Sequence, residues 1–468
     1  MSTKEKGKSR REFLKQSAMT AAGVAVGVKT LGGPAFAQAP GANDKIRVGF
    51  IGIGNRGTQL MERFMANPDV EGAALCDVYE PFLLRDQSKV EPRWLKTDKI
   101  PEMGESFGKQ PKLYKDFREL LDQKDIDAVC IATPDHWHAV QTIAAIDAGK
   151  DVYVEKPLTV TIHEGRQMVS AEANSDRVVA VGLNRRGSSI YQERAGLVQD
   201  GAIGQVRTAR ACRISNMYPN GIGALQPEEP PKGFDWDMWL GPRAYRPYQF
   251  NIAPYYFRWW QDYSSQMGNW GVHYLDVIRW LAGETAPVAI SAHGSKLLQD
   301  DKTIPDTMEA TFEFANGMMV QFHIYEACDP PGITGGEIEL GGTKGSLVAS
   351  RRGYTITPAE SGQFQTWEKL VEPSEKWLKR GDDPGTSRYG EDPTSNLIRN
   401  FLDCIKSRET PWCTLEDGHR STSFAHLANI ALATGLRIEW DADAERVTNS
   451  EAANELLHYE YRAPWSLG

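Results

Sequence analysis

The sequence predicts an α/β protein, with a doubly wound parallel sheet at its N-terminal end followed by an α+β domain whose sheet is mainly antiparallel. Three observations carry that prediction. Between residues 45 and 182, short apolar runs alternate with helical patterns, the order that builds strand–helix–strand crossovers. Beyond residue 206, strand-like runs follow one another without helices between them, which favours antiparallel pairing. At 468 residues the chain also exceeds one ordinary core, which holds about 100–200 residues.

Lys45–Ile51 is almost continuously apolar, as a parallel strand buried on both faces should be. A glycine-rich turn and a helix to about Ala66 lead to a second strand, Val70–Cys76. The polar stretch from Glu80 to Lys112 reads as an excursion from the core. Helix Asp116–Gln123, strand Ile126–Ala132, helix Ala139–Ala148 and strand Asp151–Val154 continue the alternation. Helix Ile162–Asn174, strand Val178–Gly182 and helix Ser189–Gln199 end it. Strands then dominate at Val206–Ser215, Val288–Gly294, Met308–Phe314, Met318–Tyr325 and Gly345–Ser350, and helices return at Ser395–Lys406 and Gly418–Thr434. The expected divisions are 1–37 (leader), 44–157 (first domain), 158–445 (second domain) and 446–468 (tail). Within the second, Met217–Asp262 stands apart, with several prolines and a dozen aromatic residues. Such density serves either packing or a ligand face, and both readings stay open.

Composition excludes several classes. Hydrophobic content of 41% and charged content of 25% are globular values. A net charge of −9 argues against nucleic acid or an anionic membrane as partner. No repeat of solenoid period occurs. Residues 1–37 read as an address: Ser9-Arg10-Arg11-Glu12-Phe13-Leu14-Lys15 is a twin-arginine motif, Ala18–Val28 is mildly apolar, and Ala35-Phe36-Ala37 offers a cleavage site. The expectation is an exported, periplasmic protein handled by the twin-arginine machinery, with no membrane span once trimmed. Six cysteines without C-x-x-C spacing give no zinc or iron–sulfur site, and no metal is expected. Cys76 and Cys130 fall in strand patterns as buried thiols. Spacing does not decide whether Cys404 and Cys413 pair.

The chemistry begins at Gly52-Ile53-Gly54-Asn55-Arg56-Gly57, a G-x-G-x-x-G placed between a strand and a helix. The first glycine permits the tight turn, the second lets a pyrophosphate reach the backbone, and the third lets helix and strand pack closely. Asp77 closes the second strand twenty residues after Gly57, where an acid binds a ribose 2′-hydroxyl. Its charge repels a 2′-phosphate, and no arginine directly follows it. NAD is therefore expected over NADP, in a Rossmann domain. Thr133, Pro134 and His138, in Thr133-Pro134-Asp135-His136-Trp137-His138, and Glu155-Lys156-Pro157 lie at the C-terminal ends of strands, the ligand-binding edge. His136 reads as an incidental turn residue. A lysine buried beside a nicotinamide can exchange a proton with a substrate hydroxyl. Asn269 and His273 are four apart, and His273 and Asp276 three apart, so on a helix they share a face. Arg185, Arg186, Tyr255, Tyr256, Arg258 and Asp276 are candidates for substrate contacts.

These marks, with Asn184-Arg185-Arg186 and Gly271-x-His273-x-x-Asp276, occur in an order that resembles the Gfo/Idh/MocA oxidoreductases. The resemblance covers about Asp44–Gly283 well and the rest in outline. It implies a Rossmann domain followed by an α/β domain with an open sheet that serves homo-oligomer contacts. It also implies hydride transfer between NAD(P) and sugar or cyclitol hydroxyls, with Lys156 and His273 handling the proton. One departure stands out: Asn269 occupies a position where many members carry aspartate, and an amide cannot hold charge or relay a proton. The exported branch includes glycosidases that keep NAD tightly bound and use it in a transient oxidation, elimination and reduction. A non-catalytic sensor built on the same fold is a third reading.

Overall fold

The computed structural model describes residues 45–96, 100–103, 107–332, 337–360, 362, 371–377 and 392–467. The expected twin-arginine leader, residues 1–37, lies outside the described residues.

The first sheet has six parallel strands: β1 (Ile46–Ile51), β2 (Val70–Cys76), β3 (Lys112–Tyr114), β4 (Ala128–Ile131), β5 (Asp151–Val154) and β6 (Val179–Val181), in the order β3-β2-β1-β4-β5-β6. The order reverses between β1 and β4, and that crevice is where doubly wound sheets bind ligands. Its central strands are buried on both faces, which explains their unbroken apolar runs. Helices α1 (Asn55–Met65), α2 (His138–Asp147) and α3 (Ile162–Ala173) make the crossovers. The sheet runs past the boundary expected at residue 157, because β6 pairs with β5. Strand β3 sits in the stretch read as an excursion and its flank. Its three residues are largely exposed and give no apolar run.

The second sheet has ten strands. They are β7 (Val206–Ile214), β8 (Ala289–Ser295), β9 (Thr307–Glu313), β10 (Met319–Tyr325), β11 (Ile338–Gly342), β12 (Gly345–Ser350), β13 (Gly353–Pro358), β14 (Ser374–Trp377), β15 (Ile438–Asp441) and β16 (Arg446–Val447). Only β7 with β10 pairs in parallel among them. Residues alternate strictly along β10: Val320, Phe322 and Ile324 are buried, whereas Met319 and Gln321 are exposed. The buried face packs on helices α4 (Ser189–Gln199), α5 (Val272–Ala282) and α7 (Leu415–Thr434) through Tyr191, Leu275 and Phe424. Thr208, Arg210, Glu309 and Gln321 face solvent on the other side, so the sheet is open within the chain.

The C-terminal part does not stay with the second sheet. Helix α6 (Pro393–Ser407) returns to the first domain, where Phe401 packs edge-on against Phe64 and Tyr153 at 6.2 and 5.8 Å. After it, the Cys413 carbonyl accepts from Val181 N at the free edge of β6. The tail carries Trp465 onto Trp137, at 4.7 Å between ring centroids, and onto Phe117 at 6.1 Å. Cys404 and Cys413 are both free, buried thiols, as are Cys76 and Cys130.

Candidate cofactor and substrate site

The turn after β1 is built by steric exclusion. Gly52 adopts φ +80°, and a Cβ there would meet the Thr133 amide at 2.8 Å. A Cβ on Gly57 would lie 1.8 Å from the Gly52 carbonyl oxygen, so helix and turn close only with glycine at that position. Gly54 is different: a Cβ there would find nothing nearer than Phe82 at 3.7 Å, leaving the approach to the helix open. No side chain caps α1, so the amides of its first turn are left for an outside acceptor. An uncapped helix start with an open glycine is an anion cradle, and it fits a pyrophosphate.

From this cradle a cleft of about 1310 Å³ runs along the strand ends. At one end the Asp77 carboxylate accepts from Ile53 N at 2.8 Å and Tyr79 N at 2.9 Å, and burial pushes its pKa up to about 6. Aromatic rings of Tyr79, Phe82, Trp94, Phe234 and Trp239 line the neighbouring wall. Much of that wall comes from the Met217–Asp262 stretch. Gly233 O accepts from Glu80 N, Asp235 N donates to Val78 O, and Tyr79 forms a bridge with Phe234. The aromatic segment is thus stitched by backbone to the residues right after Asp77. It closes over that end of the cleft.

The other end holds the ionisable groups. Glu155 Oε1 accepts from Arg56 Nε at 2.8 Å, and Glu155 Oε2 accepts from the Lys156 amide at 3.1 Å. Lys156 Nζ donates to Asn269 O at 3.0 Å and Asn269 Oδ1 at 3.1 Å. Burial is the largest cause of the fall in its pKa to about 8. Asn269 lies in a π-helical turn, Met267–Gly271, that runs into α5. Four residues on, His273 is held neutral: burial, then the Lys156 charge, push its pKa well below the ordinary imidazole range. Its ring makes no hydrogen bond among the described residues. Arg258 reaches the cleft with its guanidinium over the Tyr255 ring at 4.3 Å and its Nη1 on the Tyr255 carbonyl.

The structure therefore gathers Gly52, Gly54, Asn55, Arg56, Asp77, Thr133, Pro134, Glu155, Lys156, Tyr255 and Arg258 in one cleft, with Gly57 beneath its floor and Asn269 on the lysine. Four expectations are corrected. His138 is buried with Nδ1 on Pro157 O at 2.8 Å and Nε2 on Thr133 O at 2.9 Å, so it ties two loops together and has no nitrogen left for a cofactor. Asp276 is 1% exposed and pairs with Arg186 at 2.8 Å while accepting from Ser421 Oγ at 2.7 Å. It and Arg186 form a buried ion pair rather than a substrate contact. Arg185 is likewise occupied, donating to His273 O and pairing with Glu337 at 2.8 Å, which places it behind His273. His136, as expected, is incidental: it is buried with Nε2 on the Trp239 carbonyl. Sequence reasoning passed over Asp135, Phe82, Trp94 and Phe234 as cleft residues. Aromatic density of the Met217–Asp262 tract signals Phe234; Asp135, Phe82 and Trp94 lie outside that tract and carry no such mark.

A Rossmann crevice with an open phosphate cradle, an acid at the ribose position and a lowered-pKa lysine defines a dinucleotide-binding oxidoreductase fold. Family models agree over most of the chain. "Oxidoreductase family, NAD-binding Rossmann fold" matches residues 46–183, the "GFO/IDH/MocA C-terminal domain" 243–348, and the "Oxidoreductase family, C-terminal alpha/beta domain" 388–467. The chain belongs to the Gfo/Idh/MocA oxidoreductase family.

A "Glycosyl hydrolase family 109 protein" of Shewanella pealeana is 33% identical over 181 residues, 36% of this chain and 38% of that protein. An "Alpha-N-acetylgalactosaminidase" of Shewanella oneidensis is 30% identical over the same shares. The match thus spans under two fifths of these relatives. Among solved structures, levoglucosan dehydrogenase with NADH and levoglucosan superposes with a TM-score of 0.60 at 20% identity, covering 84% of this chain and 99% of that one. Aldose-aldose oxidoreductase from Caulobacter crescentus, complexed with glycerol, gives 0.57 at 19% over the same shares.

Proposed function

We propose that the protein is an exported enzyme that moves hydride between NAD and a carbohydrate hydroxyl. The observation that carries this reading is Lys156, partly buried at the end of the cleft away from Asp77, fixed by two acceptors on Asn269 and with a pKa lowered to about 8. The cofactor supplies the hydride acceptor and donor; the chain supplies position and proton handling. The α1 amides and Gly54 would hold the pyrophosphate and Asp77 the adenosine ribose, while Arg56 braces Glu155 beside Lys156. Lys156 in its neutral form takes the hydroxyl proton as the carbonyl forms, and His273, neutral and unbonded, accepts a neighbouring hydroxyl. Asn269 fixes the lysine through two acceptors but stores no proton itself.

A specific observation favours a second reading within the same chemistry. The Met217–Asp262 segment is joined by main-chain bonds to residues 78–80 beside the Asp77 end of the cleft, an arrangement that would slow release of a bound dinucleotide. Retained NAD suits a cycle in which the hydride returns to the same molecule, as in transient oxidation that cleaves a glycosidic bond. The relatives' glycosidase names support that direction. The twin-arginine leader supports export with cofactor already inserted.

Trimmed protein purified after export should be offered D-glucose with NAD, and separately an aryl N-acetyl-α-galactosaminide without it. Net NADH formation supports the dehydrogenase; aryl release without added NAD supports the internal cycle. Absence of either, with no dinucleotide bound, contradicts both.

A further inference from the structure

Asp135 sits in the first turn beyond β4 and is 5% exposed. Its carboxyl accepts from the Ser264 hydroxyl, and this is its hydrogen-bond partner among the described residues. It lines the cofactor cleft. A second cleft, of about 930 Å³, lies behind the Lys156–Pro157 turn, walled by Thr159, Ser265, Asn429 and Tyr459 and reaching the exposed Gln261 and Asp262. Among the described residues, Asp135 alone lines both spaces.

That placement answers a problem posed by Asn269. Lys156 donates to two oxygens of a residue that passes no proton onward, while cofactor and substrate fill the front of the site. Each oxidation of a hydroxyl nevertheless releases one proton that must leave. We propose that Asp135 carries this proton between Lys156 and the water of the second cleft, as a back door to solvent. The inference rests on the hydride-transfer reading above.

The step balances simply. With a nicotinamide bound, the carbinol C–H bond would give up its hydride to that group and the O–H bond its proton to neutral Lys156 Nζ, leaving the carbonyl. The ammonium gives it, across water in the cleft, to the ionised Asp135 carboxylate, which gives it to water in the second cleft; the lysine is left neutral again. Reduction runs the same path inward. Asp135 is placed for the task electrostatically. Burial raises its pKa above the ordinary carboxylate range, while His138, the Ser264 hydroxyl, Arg258 and Lys156 oppose that rise. Arg243, Asp262, His426, His458 and Tyr459 are the charged and titratable groups lining the second cleft with it.

The test uses NAD-loaded protein and two readouts. By infrared difference titration, Asp135→Asn should remove one protonated-carboxyl band, and Lys156→Met should move that band's midpoint to higher pH by removing a nearby positive charge. With D-glucose and an aryl N-acetyl-α-galactosaminide as probes, Asp135→Asn should lower kcat by about 10²-fold at unchanged KM. Asp135→Glu or added formate should restore part of the loss. A band midpoint indifferent to Lys156→Met overturns the relay, as does Asp135→Asn with wild-type kcat and pH profile. If the wild type turns over neither probe, the functional reading fails, and the infrared coupling still decides the role of Asp135.

Discussion

Lys156 Nζ and Asn269 are joined twice, through the main-chain carbonyl at 3.0 Å and the side-chain oxygen at 3.1 Å. Both acceptors are neutral, so the ammonium gains orientation without a counter-charge in contact. Burial then dominates, and the pKa falls to about 8. A carboxylate at 269 would pull the other way. Asn269→Asp should raise the lysine pKa, so the pH at which oxidation reaches half its maximal rate should move upward. In the parent protein that midpoint should lie near pH 8, with rate rising as pH rises, because the base form is the neutral amine. The kcat–pH profile of both proteins checks this.

Lys156→Ala should bind NAD as the parent does and lose about 10²–10⁴-fold in kcat. Equilibrium NAD binding measured beside turnover separates the two effects. Equal loss of both would make the lysine a cofactor ligand only.

On the proposed reading Asp77 sets cofactor choice by charge. Asp77→Ser should weaken NAD and improve NADP in relative affinity, most clearly above pH 6, where the parent carboxyl is ionised. Paired titrations with the two dinucleotides measure the ratio, and an unchanged ratio contradicts the assignment.

The covering segment makes a kinetic claim. Phe234→Ala removes a ring that contacts Tyr79 at 5.8 Å and Trp94 at 5.6 Å between centroids. It should speed cofactor release far more than it slows binding, because such changes act mainly on dissociation. Dilution or competitor-trap experiments on loaded protein give the rate.

Asp276 separates packing from catalysis. Asp276→Asn leaves the buried Arg186 with Asp417, at 3.0 Å, as its remaining carboxylate and should cost about 1–3 kcal/mol of stability. Denaturant unfolding should show that loss, while KM of the surviving folded protein stays near the parent value.

Much of the first domain was legible because local rules coincide there. Continuous apolar strands, a glycine turn whose Cβ positions are blocked by Gly52 O and Thr133 N, and an acid at a strand end all act within one βαβ unit. What escaped reading depends on distant partners. Strand β3 is three residues long and mostly exposed, so no pattern marks it. Helix α6 reads as helix, but only Phe401 against Phe64 and Tyr153 assigns it to the first domain. His138 and Asp276 have the residue types of a site, yet a carbonyl on each ring nitrogen and a buried guanidinium satisfy them. Asp135 shows the converse. Its role as a wall between two clefts exists only once Ser264 and the Lys156–Pro157 turn are brought beside it.

The central claim is that this cleft holds a nicotinamide dinucleotide against Lys156. Mass spectrometry of the small molecules released by denaturing the purified protein tests it most directly, since it reports identity and redox state together. Stoichiometric NAD or NADH that survives desalting of the folded protein is the expected result. Protein that carries no dinucleotide and takes none up when NAD is added would contradict it.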